Sequence, residues 1–207
     1  MAKRKSKKPE REPYVLPERS GLKKGTTRVL SLDPGSANMG ISVVAANDSH
    51  LRIMANSIVY EPIFDLTILN SQRSPFIAEI ERWVELYRPQ AFVAERFQTR
   101  GIKGKTVECV NIMIGLIAGR WPEIPIRFIP ASQWKNAHHR RFKSDEDRLD
   151  NMYKRCRTTP HQLDSAFIGV YGIQEGLGRT FEYDPQALMH QCETTSLVKL
   201  HNRRNKE

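Results

Sequence analysis

Apolar positions along the middle of the chain follow two different periods. The stretches 28–33, 39–46 and 52–60 are rich in Val, Ile, Leu and Ala, and turn residues (Asp33-Pro34-Gly35-Ser36, then Asn47-Asp48-Ser49) separate them. Connections this short leave room only for antiparallel neighbours, so the three predict a meander of strands. A helical period follows. Phe76, Ile80, Trp83 and Tyr87 fall on one face, after Ser74 as N-cap and Pro75 at the first helical position, and Arg88-Pro89 ends the run. Ala91–Ala94 is apolar without alternation, as in a strand covered on both sides.

Further on, Val107, Val110, Ile114 and Ile117 line up on a helix over 104–119, and Pro125–Ile129 reads as another strand. Ala131–Asn136 predicts a short helix, 144–156 a charged one, and 160–174 a helix burying Leu163, Phe167 and Val170. Asp184-Pro185 opens a weakly amphipathic segment. Hairpin-linked strands followed by strands separated by helices predict an α/β layer fold with a mixed sheet. Residues 1–27 have few apolar positions and predict a disordered arm. Residues 28–175 then form one domain, and 176–207 an extension to which the pattern assigns no role.

Charge sharpens this division. The formal net charge is +10, and residues 1–28 hold ten Lys or Arg against three Glu, so +7 belongs to the arm. A basic arm on a nearly balanced body suits a polyanion, because each cation that meets a phosphate releases counterions. A solvated leader, or a nuclear address in Lys3-Arg4-Lys5-Ser6-Lys7-Lys8, accounts for the same charge. Cys109, Cys156 and Cys192 are odd in number and far apart, which argues against a disulfide framework and against a zinc ribbon. No apolar run is long enough to span a bilayer and the first residues lack a secretory apolar region. An intracellular, cytoplasmic protein with no membrane partner is expected.

Three acids end buried elements. Asp33 follows the apolar run Arg28–Leu32, Glu95 follows Ala91–Ala94, and Asp164 stands in the first turn of the 160–174 helix, three residues after His161. Each has an ordinary reading. Asp-Pro-Gly is a common turn, Glu95 can pair with Arg96 or Arg100, and Thr159 or Asp164 can cap a helix whose His161 is exposed. Gly35, Ser36 and Gly40 would let a phosphate backbone approach closely. Taken together, three carboxylates and an imidazole on separate elements point to divalent cations. Like charges that converge repel one another, and a cation removes that penalty. Oxygen-rich ligands suit Mg²⁺, with Mn²⁺ able to substitute, and a pair of such ions serves phosphodiester hydrolysis.

These motifs, in this order, resemble those of the RuvC family of Holliday-junction resolvases within the RNase H-like superfamily. Leu32-Asp33-Pro34-Gly35-Ser36 with Gly40 is similar to the first motif, and Val93-Ala94-Glu95-Arg96-Phe97 to the second. Pro130-Ala131-Ser132-Gln133-Trp134-Lys135 resembles the segment with a basic residue near the scissile phosphate, and His161-Gln162-Leu163-Asp164-Ser165-Ala166 the last motif. The resemblance spans 28–174. It implies a mixed five-stranded sheet flanked by helices, and a homodimer that cuts four-way junctions by paired nicks in DNA recombination or repair. It implies that Asp33, Glu95, His161 and Asp164 hold two Mg²⁺ ions and that Lys135 assists at the phosphate. Phe97 matches approximately the aromatic that wedges among bases at the crossover, and a core Phe is the alternative reading. The basic arm and residues 176–207 depart from compact bacterial members and fit a viral or divergent version.

Lys103, Lys105, Arg140, Arg141 and Lys143 are further DNA-contact candidates, although Asp145-Glu146-Asp147 beside them also fits a mixed solvated surface. The alternatives in function are a related nuclease acting on other branched DNA or on RNA/DNA hybrids, and a non-catalytic junction-binding protein. A sugar-kinase or chaperone-type ATPase also opens on a glycine-rich Asp loop. This chain is too short for its paired domains.

Overall fold

The computed structural model describes Leu16 and residues 25–35, 38–60, 75–96 and 104–194. Of the sequence candidates, Ser36, Phe97, Lys103, the Lys105 side chain and the rest of the basic arm lie outside the described residues. In chain order the elements are β1 (Thr27–Asp33), β2 (Asn38–Ala46), β3 (Leu51–Tyr60), α1 (Pro75–Tyr87), β4 (Ala91–Arg96), α2 (Lys105–Arg120), β5 (Ile126–Pro130) and α3 (Ala131–Arg141). Then come α4 (Leu149–Arg155), α5 (Pro160–Leu177), α6 (Pro185–His190) and β6 (Glu193–Thr194). Among the described residues, no helix is long and apolar enough to cross a membrane.

The strands form one sheet in the order β5-β4-β1-β2-β3-β6. β1, β2 and β3 pair antiparallel, while β4 joins β1 and β5 joins β4 in parallel. This is the expected five-stranded mixed sheet, with a two-residue strand, β6, added in parallel beside β3. Alternation along the central strands sends successive side chains to opposite faces. Leu30 and Leu32 of β1, with Phe92 and Ala94 of β4, pack under α1 and α2 against Phe76, Ile80, Trp83, Met113 and Ile117. Val29 of β1, with Ala91 and Val93 of β4, faces α5 together with Leu163, Phe167 and Val170.

Some elements differ from the pattern-based expectation. α3 runs to Arg141 rather than ending near Asn136, because Trp134 and His138 are both buried and hold its second and third turns. The charged segment over 144–156 is a 3-10 turn at Asp145–Asp147 followed by α4. The buried face of α2 carries Cys109, Val110, Met113 and Ile117, a rotation of the stripe read from the sequence. Over residues 176–194 the chain stays on the core. α5 continues to Leu177, Gly178 ends it in the left-handed region, and Phe181, Leu188 and Met189 join the α5-side cluster. Cys109, Cys156 and Cys192 are free thiols.

α5 lies unusually close to the sheet. A Cβ at Gly40 of β2 would stand 1.9 Å from the His161 carbonyl oxygen, and one at Gly172 would meet the Val93 methyls at 2.6 and 2.8 Å. A buried polar chain fixes the register of this contact. Asn56 Nδ2 donates to the Gln162 carbonyl and to Ser42 Oγ, both at 2.7 Å, and Ser42 and Ser165 share a hydroxyl bond of 2.7 Å. Inside a dry core each such bond is expensive to leave unmade, so only one seating of the helix satisfies them together.

Candidate active site at the strand ends

Sheet parity decides where the acids point. Asp33 continues the Val29–Ser31 side of β1, and Glu95 continues the Ala91–Val93 side of β4. Leu32 pairs with Ala94, so the two acids leave neighbouring parallel strands one residue later, on the face that α5 covers. The carboxyl ends of strands in such a sheet are where open α/β folds place their ligands.

α5 delivers His161 and Asp164 to the same place. A capping box begins the helix: the Thr159 side chain accepts from the Gln162 N–H and the Gln162 side chain from the Thr159 N–H. Pro160 occupies the first turn, where its missing N–H costs nothing. The cap is thereby complete without Asp164. His161 Nδ1 lies 2.7 Å from Asp33 Oδ2, and Lys135 Nζ of α3 donates to Asp164 Oδ2 at 2.8 Å. Glu95 Oε2 accepts from the Trp134 indole N–H at 3.0 Å, rather than from Arg96.

The electrostatics are those of crowded acids. Burial pushes the Glu95 carboxyl up, with the Asp33 charge adding to it and the Trp134 hydrogen bond working against it. Burial also raises Asp164, more than its Lys135 partner lowers it. The hydrogen bond to Asp33 raises His161 against the effect of burial. Burial alone would lower Lys135, but the Asp164 hydrogen bond and the surrounding carboxylates carry it above its ordinary value. Carboxyls raised first by burial and further by one another's charge are ones that a cation stabilises.

Among the described residues, no three of these side chains close around a single point as they stand. Each acid is instead held by His161, Trp134 or Lys135. The donor set nevertheless fits a hard divalent cation: three carboxylates and one imidazole, partly buried, with mutual repulsion to relieve.

The other sequence candidates lie as follows. At Gly35 a Cβ would meet the Asn38 carbonyl oxygen at 2.2 Å, so the tight turn itself requires glycine there. Gly40 was expected to admit a phosphate backbone, and the structure corrects this. The group that needs its missing side chain is the His161 carbonyl. Arg140 and Lys143 are exposed. Arg141 is engaged within its own chain, bonding the Phe181 carbonyl, pairing with Glu182 at 3.3 Å and stacking on Tyr183. Trp134, which holds Glu95, was not among the sequence-derived site residues. Its one signal was adjacency to Lys135.

No family model matches the chain, and no curated protein does. Among solved structures, the chain is similar to Thermus thermophilus RuvC in complex with a Holliday junction substrate, with a TM-score of 0.55 and 18% identity over 73% of this chain and 96% of that one. A second structure of Thermus thermophilus RuvC gives 0.55 and 19%, over 73% and 97%. The fowlpox virus Holliday junction resolvase aligns at 0.43 and 11% over 73% and 99%, too distant to carry an argument. At these identities the likeness establishes the fold, which is the RNase H-like fold of RuvC.

Proposed function

We propose that this chain is a divalent-metal-dependent, structure-selective DNA endonuclease. It resolves four-way junctions by paired nicks that leave 5′-phosphate and 3′-hydroxyl ends. One observation carries the reading: Asp33, Glu95, His161, Asp164 and Lys135, from β1, β4, α3 and α5, meet at the strand ends of the sheet. The similarity to a RuvC structure containing a Holliday junction supports the choice of substrate. The basic balance of the chain supports a polyanionic partner.

In this reading Asp33, Glu95, His161 and Asp164 would hold the cations, which supply Lewis acidity and charge neutralisation when bound. Asp33, on the strand beside that of Glu95 and bonded to His161, would be the ligand in reach of both. Lys135 keeps its proton at neutral pH, and its ammonium offsets charge on the phosphate being cut. The capped first turn of α5 fixes His161 and Asp164 before substrate arrives, so little ordering remains to be done on binding. Exposed Arg140 and Lys143, with the basic arm, contribute sequence-independent backbone contacts. Paired nicks require two such sites, and hence a homodimer.

The test is incubation of a synthetic four-way junction with Mg²⁺, alongside flap, plain duplex and RNA/DNA hybrid. Wild type is expected to cut the junction into ligatable duplexes, and Asp33→Asn to lose at least about 100-fold in rate. Full cleavage by Asp33→Asn would refute the proposal. Preference for hybrid or flap would reassign the substrate within the same chemistry, and tight junction binding without metal-dependent turnover would leave a binding protein.

A further inference from the structure

Trp134 stands one turn into α3, directly after β5, and β5 pairs in parallel with β4 so that Ile129 lies opposite Glu95. The indole is 1% exposed and belongs to the α5-side core with Ile129, Leu163 and Phe167. Its polar edge donates to Glu95 Oε2 at 3.0 Å. Its aromatic face supports the neighbouring ammonium, with Lys135 Nζ 4.9 Å from the ring centre. Lys135 in turn bonds Asp164. One rigid side chain therefore touches both an acid of β4 and the lysine that holds the acid of α5.

From this geometry we propose that Trp134 is a positioning residue. It commits one oxygen of Glu95 and so presents the other, Oε1, as the ligand atom beside Asp33. The proposal rests on the nuclease reading and deepens it. A phenylalanine would fill the same core volume without asking anything of Glu95. The indole N–H, in contrast, must find an acceptor when buried, and here the acceptor is a carboxylate at a strand end. A hydrogen bond to a charged acceptor is stronger and more directional than a neutral one, and it restricts a side chain with three rotatable bonds to one arrangement. The carboxylate is thus ordered by the protein before any cation arrives, in the way outer-sphere partners of metal ligands orient them. Because α3 is fixed by burial of Trp134 and His138, the same helix sets the Glu95 and Lys135 positions together.

The experiment compares wild type with Trp134→Phe, using Trp83→Phe as a core substitution on the other face of the sheet. Binding of Mn²⁺ to the metal ligands is measured by calorimetry without DNA, and junction cleavage is resolved into kcat and KM. Trp134→Phe is expected to bind Mn²⁺ about 10-fold more weakly and to lose kcat by a similar factor with KM unchanged, while Trp83→Phe loses stability alone. A folded Trp134→Phe with wild-type Mn²⁺ affinity and kcat would overturn the proposal. A second measurement covers a variant that fails to fold. In wild-type background, Glu95→Gln is expected to move the Trp134 indole N–H resonance upfield in the metal-free protein, and an unmoved resonance overturns the proposal. Should wild type bind no Mn²⁺ at all, the nuclease reading fails, and the indole resonance alone decides whether Trp134 holds Glu95.

Discussion

Gly40→Ala asks whether the site depends on how closely α5 approaches the sheet. Gly40 pairs with Asp33 across β1 and β2, beneath the first turn of α5. The added methyl would stand 1.9 Å from the His161 carbonyl oxygen and 2.5 Å from its carbon, whereas real Cβ contacts essentially never fall under 3.0 Å. The obstacle is helix backbone, held by the capping box and by the Asn56 bond to Gln162, and it cannot rotate away as a side chain would. α5 must therefore retreat by about 1 Å at its first turn. Overpacking of this kind costs about 1–3 kcal/mol of stability. A misplacement of that size between His161, Asp164 and Asp33 costs on the order of 100-fold in turnover. The assay is single-turnover cleavage of a four-way junction at saturating enzyme, well below the melting temperature of each variant. Gly172→Ala is the control. Its methyl would meet the Val93 side chain, three turns along the same helix from His161. Both variants are expected to melt earlier, and only Gly40→Ala to lose turnover. Wild-type turnover by folded Gly40→Ala, or an equal loss in Gly172→Ala, would refute the reasoning.

Two further outcomes concern stability. His138 is buried among Phe142 and Phe167, with Nε2 2.9 Å from the Asp147 carbonyl and Nδ1 buried without a partner among the described residues. Nε2 therefore carries the proton of the neutral ring, and a second proton on Nδ1 finds no acceptor. Burial accordingly lowers the His138 pKa from its ordinary 6.5. The unfolded chain takes up that proton first, so the contribution is complete above pH 6.5 and is lost as pH falls through the lowered folded value. His161 works in the opposite direction, since its pKa is raised. In denaturant melts between pH 7 and about 5, wild type is expected to lose more stability, or gain less, than His138→Phe as the pH falls; an unchanged slope in that variant would refute the assignment. Arg88 and Arg157 sit at φ of 48° and 53°, just after α1 and α4, where a Cβ is strained. Glycine at either position is expected to raise stability by up to about 1 kcal/mol, read from denaturant midpoints, and a clear loss would mean that the arginine side chain makes a stabilising contact.

The legible part of this molecule was its periodic part. Apolar runs and turn residues located β1 to β5, and a 3.6-residue stripe located α1 and α5, because in those elements burial and period coincide. Asp33, Glu95, His161 and Asp164 were legible for a related reason: each closes or opens a strongly patterned element, so its depth in the fold follows from its neighbours. What periodicity could not carry was any contact between distant residues. The capping alternative for Asp164 was resolved by Gln162 completing the box with Thr159, which frees the acid for Lys135. The partner that Glu95 has among the described residues is Trp134, 39 positions further on, whose indole reads in sequence as one more core side chain. The segment after α5 was illegible because α6 is six residues long and β6 two, too short to show a period at all. Gly40 marks the boundary most clearly. Its place in the motif was visible, and its reason was not, because the atom it makes room for lies on a helix more than a hundred residues away. A motif glycine can thus answer to the packing of the protein on itself rather than to the substrate. The two origins separate by experiment, since a packing glycine beneath the site lowers stability and turnover together when a methyl is added, while a substrate-facing one lowers turnover alone.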